Sequence, residues 1–267
     1  MPRAVFFSGG TYLLSTSPAA TVGSGVVSYW YRASVLDKKT AIIFMIDQSD
    51  KLIPGGANLI VWHDYDTTTA GLTPGVYLHL DIVKDFFTYA QFESVTPIPY
   101  DGKWHNIWVC WDVLNIYGGQ YGVARLQVDN TFVNWHPNLL FKSNTSFDIN
   151  YGNLPASVGA LFFQPDPLQT RHFFIGDLAE IYVDLNNDDY GLVAGASPLF
   201  PQGWLYTDAV GQASYTMPAR LGDNGDAPFG RPCTLYLHGD EDHFPGSFAV
   251  NGPVSQLVTS TSDPFSR

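Results

Sequence analysis

The sequence predicts an all-β protein, a sandwich or barrel of ten or more short strands, and three observations carry that prediction. Apolar runs of four to nine residues, rich in Val, Ile, Phe, Tyr and Trp, recur along the chain and are cut by Gly, Pro, Asn and Asp. The 25 glycines and 18 prolines break long helices, and no window carries a helical stripe. Several runs also alternate with period two, as strands with one wet face do.

In chain order, Ala4-Val5-Phe6-Phe7-Ser8-Gly9-Gly10 reads as a first strand. Gly25 to Ala33, Thr40 to Ile46 and Asn58 to His63 follow as β-branched and aromatic runs. Gly75 to Asp81, Asp85 to Phe92 and Trp104 to Asp112 form the next group, then Gly122 to Asp129 and Ala160 to Phe163. The last are Phe173 to Asp184 and Thr234 to His238. Between Phe174 and Asp184, Ile175, Ala179, Ile181 and Val183 share one parity, while Gly176, Glu180, Tyr182 and Asp184 share the other. That pattern predicts one buried and one wet face.

Apolar runs thin out after about residue 190 while Pro, Gly and Asp increase, as in Leu221 to Gly230. We therefore expect one domain over residues 1–195 and a loop-rich extension over 196–267. Trp204, Leu205, Tyr206, Leu235, Tyr236, Leu237 and Phe244 are too apolar to be left in water, so the extension should pack on the sandwich or on a neighbour.

The net charge of −12, with no cluster of Lys or Arg, argues against nucleic-acid binding and against anionic membrane surfaces. No run of about 18 apolar residues is present, so no helical span is expected. The N-terminal residues lack the apolar stretch of a signal peptide, which leads us to expect synthesis in a cytoplasm. Only 14% of residues are charged, a low share that points to surface covered by a partner. Cys110 and Cys233 are read as thiols, with a single disulfide as the alternative.

Three ordered features then resemble the LamG/concanavalin A-like jelly-roll superfamily. Ala4 to Gly10 followed by Gly25 to Arg32 is similar to its opening strands, where "F-x-G" precedes a "V-S-x-W-x-R"-like strand. Asp101-Gly102-Lys103-Trp104-His105 with Leu126-Gln127-Val128-Asp129-Asn130 is similar to its "D-G-x-W-H" hairpin and later "L-Y-V-D-G". Phe174 to Tyr182 is similar to its penultimate "F-x-G-x-I-x-E-V-x-I-Y" strand. The likeness covers about residues 4 to 190; Asn130 departs from the usual Gly, and the insert from Asn134 to Arg171 is long. It implies a two-sheet antiparallel jelly-roll sandwich. Met217 to Gly225, Cys233 to Gly239 and Gly246-Ser247-Phe248 resemble a tail attached to LamG-type proteins among bacteriophage structural genes, which implies a virion component.

Catalysis finds little support in the residues. Glycosidases need a close carboxyl pair, yet the chain has only Glu93, Glu180 and Glu241, no E-x-D-x-E run, and Asp177 and Glu180 of opposite strand parity. No G-x-S-x-G elbow occurs, and Cys110 lies mid-strand. A sugar instead needs flat aromatic faces beside Asp, Asn or Gln. Trp62, His63, Asp64, Tyr65 and Asp66, with Trp135, His136 and Asn138, supply these, and we expect them at strand ends or loops; core building is the competing reading for such aromatics. Calcium would suit the oxygens of Asp184, Asn186, Asp188 and Asp189, and Asp223 to Asp226 offer a similar set. Ordinary turn formation explains both runs equally simply and is preferred. The acidic turn His238 to His243 is likewise read as solvated rather than as a metal site.

The expectation is therefore a non-enzymatic virion protein: a head decoration, fibre or tail component. Its partners would be other virion proteins, copies of itself (trimers included) and surface glycans. The alternatives are a bacterial carbohydrate-binding module or lectin, and a glycoside hydrolase.

Overall fold

The computed structural model describes residues 4–8, 12–15, 24–34, 40–47, 58–66, 73–85, 88–112, 123–129, 131–141, 156–159, 174–185, 205–207, 213–215, 233, 235–237, 248–251 and 258–260. Among these residues all regular structure is β, arranged as two large antiparallel sheets and one small hairpin. The first sheet runs β10 (Thr131–Val133), β9 (Val123–Val128), β8 (Trp104–Asp112), β3 (Ser24–Arg32), β13 (Ile175–Asp184), β1 (Ala4–Ser8) and β18 (Val258–Ser260). On β13, β16 (Leu235–Leu237) takes up the edge beyond β1. The second sheet runs β11 (Trp135–Phe141), β7 (Thr88–Ser94), β6 (Gly75–Asp85), β5 (Asn58–Asp66), β4 (Thr40–Asp47), β12 (Ala156–Val158), β2 (Tyr12–Ser15) and β17 (Phe248–Asn251). The hairpin pairs β14 (Leu205–Thr207) with β15 (Ala213–Tyr215).

Among the described strands the chain crosses between sheets after β1, β2, β3, β7, β10, β12, β16 and β17, wrapping the sandwich as a jelly roll rather than finishing one sheet first. Period-two alternation makes this possible. Val27, Tyr29, Ile107, Val109, Trp111, Leu126 and Leu178 from the first sheet meet Ile43, Phe44, Leu59, Val61, Leu78, Leu80 and Phe92 from the second in one buried core. Each such side chain contributes about 1.5–3 kcal/mol by leaving water.

The predicted strands coincide with described ones, apart from Ala160 to Phe163, which lie outside the described residues. Strands β10, β11 and β12, inside or beside the long insert, were not foreseen, nor were β2, β14, β15, β17 and β18. In the region beyond residue 195, β16, β17 and β18 each pair with a strand of the sandwich. Cys110 is buried in β8 and Cys233 half-buried, and no disulfide joins them.

One expectation about β13 fails. Its pairing with β3 slips between Ala179 and Tyr182, so the inward parity changes along the strand. Leu178 faces the core, Ala179 packs on the opposite side with Trp30 and Trp104, and Ile181 and Val183 return to the core. The other face is not wet either: Tyr182 and Asp184 are fully buried, and the Tyr236 ring of β16 meets Tyr182 edge-on at 6.3 Å. Gly176, at φ +146°, admits the close approach of β3, since a Cβ there would lie 2.5 Å from the Arg32 carbonyl oxygen.

Candidate functional site

Alternation along β5, β6 and β7 decides which side chains leave the core. Leu59, Val61 and His63 of β5 point inward, as do Val76, Leu78, Leu80 and Ile82 of β6 and Phe92 of β7. Trp62, Asp64 and Asp66 therefore share the outer face with His79, Asp81, Gln91 and Glu93. Pairing aligns them in rungs: Trp62, His79 and Glu93 stand opposite one another on successive strands, and so do Ile60, Asp81 and Gln91.

The Trp62 and His79 rings stack at 4.0 Å with an 18° interplanar angle. The indole Nε1–H donates to Asp81 Oδ2 at 2.9 Å, which fixes the ring's orientation. Thr40 Oγ1 donates to Asp64 Oδ1 at 3.2 Å and steadies that carboxylate. Burial raises the Asp81 carboxyl to about 6, against the pull of the Trp62 bond. Burial likewise lowers His79 to about 4, opposed by the charge of Asp66, so the ring is neutral at neutral pH. Among the described residues its Nε2 has no hydrogen-bond partner, and it sits 3.9 Å from Glu93 Oε1, too far for a bond. The face thus combines a partly buried aromatic pair with carboxylate and amide oxygens. That set can hold apolar C–H surface and accept hydrogen bonds from hydroxyls.

Of the residues expected to contact sugar, Trp62, Asp64 and Asp66 are brought together here, within β5 and not in a loop. His63 is not part of the face. It is 0% exposed and stands between the sheets, with Nε2 2.8 Å from Tyr29 Oη and Nδ1 2.7 Å from Tyr100 Oη. Strand parity turns it inward, and burial drives it down to about 3, so it is a neutral ring donating to one hydroxyl and accepting from the other. Tyr65 shares that parity but lies near the strand's end, 40% exposed. Trp135 and His136 lie in β11, with His136 paired to Glu93 on the Trp62 rung, and Asn138 falls at a register shift between Pro137 and Leu139.

Among the calcium candidates, Asp184 ends β13 and is fully buried; Asn186, Asp188 and Asp189 lie outside the described residues, as do Asp223 to Asp226 and His238 to His243. No cluster of three or more His, Cys, Asp or Glu suited to a metal ion occurs among the described residues. Sequence reasoning missed His79, Asp81, Gln91 and Glu93. The signal was present in Val76-Tyr77-Leu78-His79-Leu80-Asp81, where aliphatic and polar residues alternate, but the register bringing them beside Trp62 is a tertiary fact.

The family motifs meet elsewhere. Arg32 Nε donates to Asp177 Oδ2 at 2.8 Å, and its guanidinium lies 5.2 Å from the centroid of the Trp104 ring. His105, next to Trp104, bonds Asp129 and Asp101. These residues knit β13, β3, β8 and the β9–β10 turn together on the first sheet, away from the outer face of the second.

No protein-family model matches the sequence, and no curated protein matches it. Among solved structures, the chain is similar to a native heptameric SAP-like pentraxin from Limulus polyphemus, at 13% identity over 68% of this chain and 75% of that one, with a TM-score of 0.44. It is also similar to domain 4 of AbnA, a GH43 extracellular arabinanase from Geobacillus stearothermophilus, solved with arabinotriose. That likeness has 13% identity over 66% of this chain and 68% of that one, with a TM-score of 0.40.

Proposed function

We propose that this chain is a non-enzymatic carbohydrate-binding jelly-roll protein that grips glycan with the outer face of β5, β6 and β7. The observation that carries the reading is the Trp62–His79 stack held by the Asp81 carboxyl, with Asp64 and Gln91 at its sides. Aromatic rings supply apolar contact for the C–H groups of a pyranose, and the flanking oxygens supply direction. A glycan array probed with the intact protein and with Trp62→Ala tests it. Saturable binding that the variant loses supports the face; binding unchanged by the substitution removes it.

The finer reading is that the protein serves in a bacteriophage virion, as a head decoration, fibre or tail component. It is supported by the C-terminal likeness at Met217 to Gly225, Cys233 to Gly239 and Gly246 to Phe248, and by the low share of charged residues. Many copies on a particle would compensate for weak single-site affinity. Cryo-EM of the particles that carry the protein tests this: density for the sandwich on a capsid or tail supports it, and a protein found only free in solution defeats it.

A second reading, glycoside hydrolysis, draws on one observation. Burial raises the Asp81 carboxyl to about 6, as suits a general acid, and Glu93 lies one rung away on the neighbouring strand. Asp81→Asn separates the two: binding without turnover in the parent protein favours the lectin, and turnover abolished by the substitution favours the enzyme.

A further inference from the structure

We propose that Asp101, His105 and Asp129 form a proton-dependent latch, closed by an imidazolium at His105, that fastens the crossover between the sheets to the turn joining β9 and β10. Each ring nitrogen of His105 meets a carboxylate: Nδ1 bonds Asp129 Oδ2, and Nε2 lies 2.8 Å from Asp101 Oδ1. A carboxylate only accepts hydrogen bonds, so both nitrogens must donate, and imidazole has two N–H groups only when it is charged. A neutral ring would aim one lone pair at a carboxylate oxygen.

Both carboxylates are also held by backbone amides, which keeps them as acceptors. Lys103 N donates to Asp101 Oδ1 at 2.9 Å and Asn106 N donates to Asp129 Oδ1 at 2.8 Å. The other groups facing the cluster, among the described residues, are Lys103 Nζ, 3.6 Å from Asp101 Oδ2, and the Tyr31 ring of β3, 5.7 Å from the His105 ring. Burial alone would lower the His105 pKa, but the bonds and charges of Asp129 and Asp101 outweigh it and the net direction is up. The bonds to His105 and Lys103 hold Asp101 down to about 2.

What the latch fastens is residues 95–103, which carry the chain from β7 to β8. Along that path Ile98 N bonds the Val76 carbonyl at 2.7 Å, Tyr31 Oη bonds the Pro99 carbonyl at 2.6 Å, and Gly102 N bonds the Ala33 carbonyl at 3.0 Å. The crossover therefore touches both sheets, and Asp101 ties its end to β8 through His105. His105 is raised in the folded state, so its contribution is full below its unfolded value near 6.5 and is lost as pH rises through the folded one. Asp101 is depressed, so its contribution is present above 3.8 and is lost as pH falls toward about 2. The latch is closed in mild acid and opens as pH rises through the raised His105 value.

Long-range 1H–15N NMR of the histidine side chains in the intact protein, from pH 5 to 10, reads the proton directly. The expected result is that the His105 midpoint lies above the ordinary 6.5, with both nitrogens protonated below it, and that Asp129→Asn moves the midpoint down. Asn tolerates the positive φ of 47° at that position, so this variant should fold. His105→Gln should speed hydrogen exchange at the Asn106 amide by about tenfold, as loss of a charge-assisted bond predicts, while global unfolding changes little. A midpoint at or below the ordinary value, or unchanged exchange in a folded His105→Gln variant, would overturn the latch. Should that variant fail to fold, the titration of the parent protein and of Asp129→Asn still decides.

Discussion

Replacing His63 with leucine removes a fully buried ring that ties the two sheets through Tyr29 and Tyr100. At pH 7.5 the main cost is the orphaned hydroxyl of Tyr29, which is itself fully buried, and such a group costs about 1–3 kcal/mol. The Tyr100 hydroxyl loses its bond to the same ring as well. Acid adds a second, opposite effect. Burial lowers His63 from 6.5 to about 3, so the folded protein refuses a proton that the unfolded chain accepts. The stability that depends on a neutral His63 is therefore complete above 6.5 and is lost as pH falls. At pH 5, about 1.5 pH units below the unfolded value, the loss is about 2 kcal/mol; at pH 7.5 it is close to zero.

Leucine carries no such penalty. Urea unfolding of both proteins at the two pH values, followed by tryptophan fluorescence, gives the four stabilities needed. His79 and His105 also titrate differentially, but they are common to both proteins and cancel in the comparison. The expected gap of about 1–3 kcal/mol at pH 7.5 shrinks by about 2 kcal/mol at pH 5. A gap of the same size at both pH values would mean that His63 titrates as an ordinary histidine, and the buried neutral bridge would be refuted.

Trp62→Ala should weaken glycan binding at least tenfold, the loss of about 1.4 kcal/mol of aromatic contact, with the unfolding midpoint changed far less than by any core truncation; isothermal titration and thermal melts check both. Gly176→Ala should destabilise the fold by more than about 1 kcal/mol, because φ is +146° and the new Cβ would lie 2.5 Å from the Arg32 carbonyl; a melting temperature equal to the parent's would contradict the close approach of β3 and β13. A thiol reagent should modify half-buried Cys233 before buried Cys110, and mass spectrometry of the native protein after brief labelling reads the order.

Much of the fold was legible because short strands announce themselves locally. The runs Gly25 to Ala33 and Trp104 to Asp112 became β3 and β8 almost residue for residue, and their alternation already separated Tyr29, Ile107 and Val109 from Trp30 and Trp108. Other short strands left no such trace: β12 and β18 hold too few apolar positions to stand above the loops around them. The slip in β13 was also invisible, since a bulge is set by the partner strand and not by the residues that form it. The family motifs were legible for a related reason. Arg32, Trp104 and Asp177 contact one another across β3, β8 and β13, so in this chain they mark the scaffold rather than the ligand face.

The candidate site divides along the same line. The sequence by itself determined that Trp62 and its neighbour His63 stand on opposite faces, because a strand's period is two. Asp64 and Asp66 were expected at its end or in a loop, and it is the strand's extension to Asp66 that puts them on the Trp62 face. Only the tertiary structure decided that the neighbours of Trp62 are His79 and Asp81, and that His105 stands between Asp101 and Asp129. Both results depend on which strands pair and in what register, and those choices are made by the burial of one common core, summed over residues far apart in the chain.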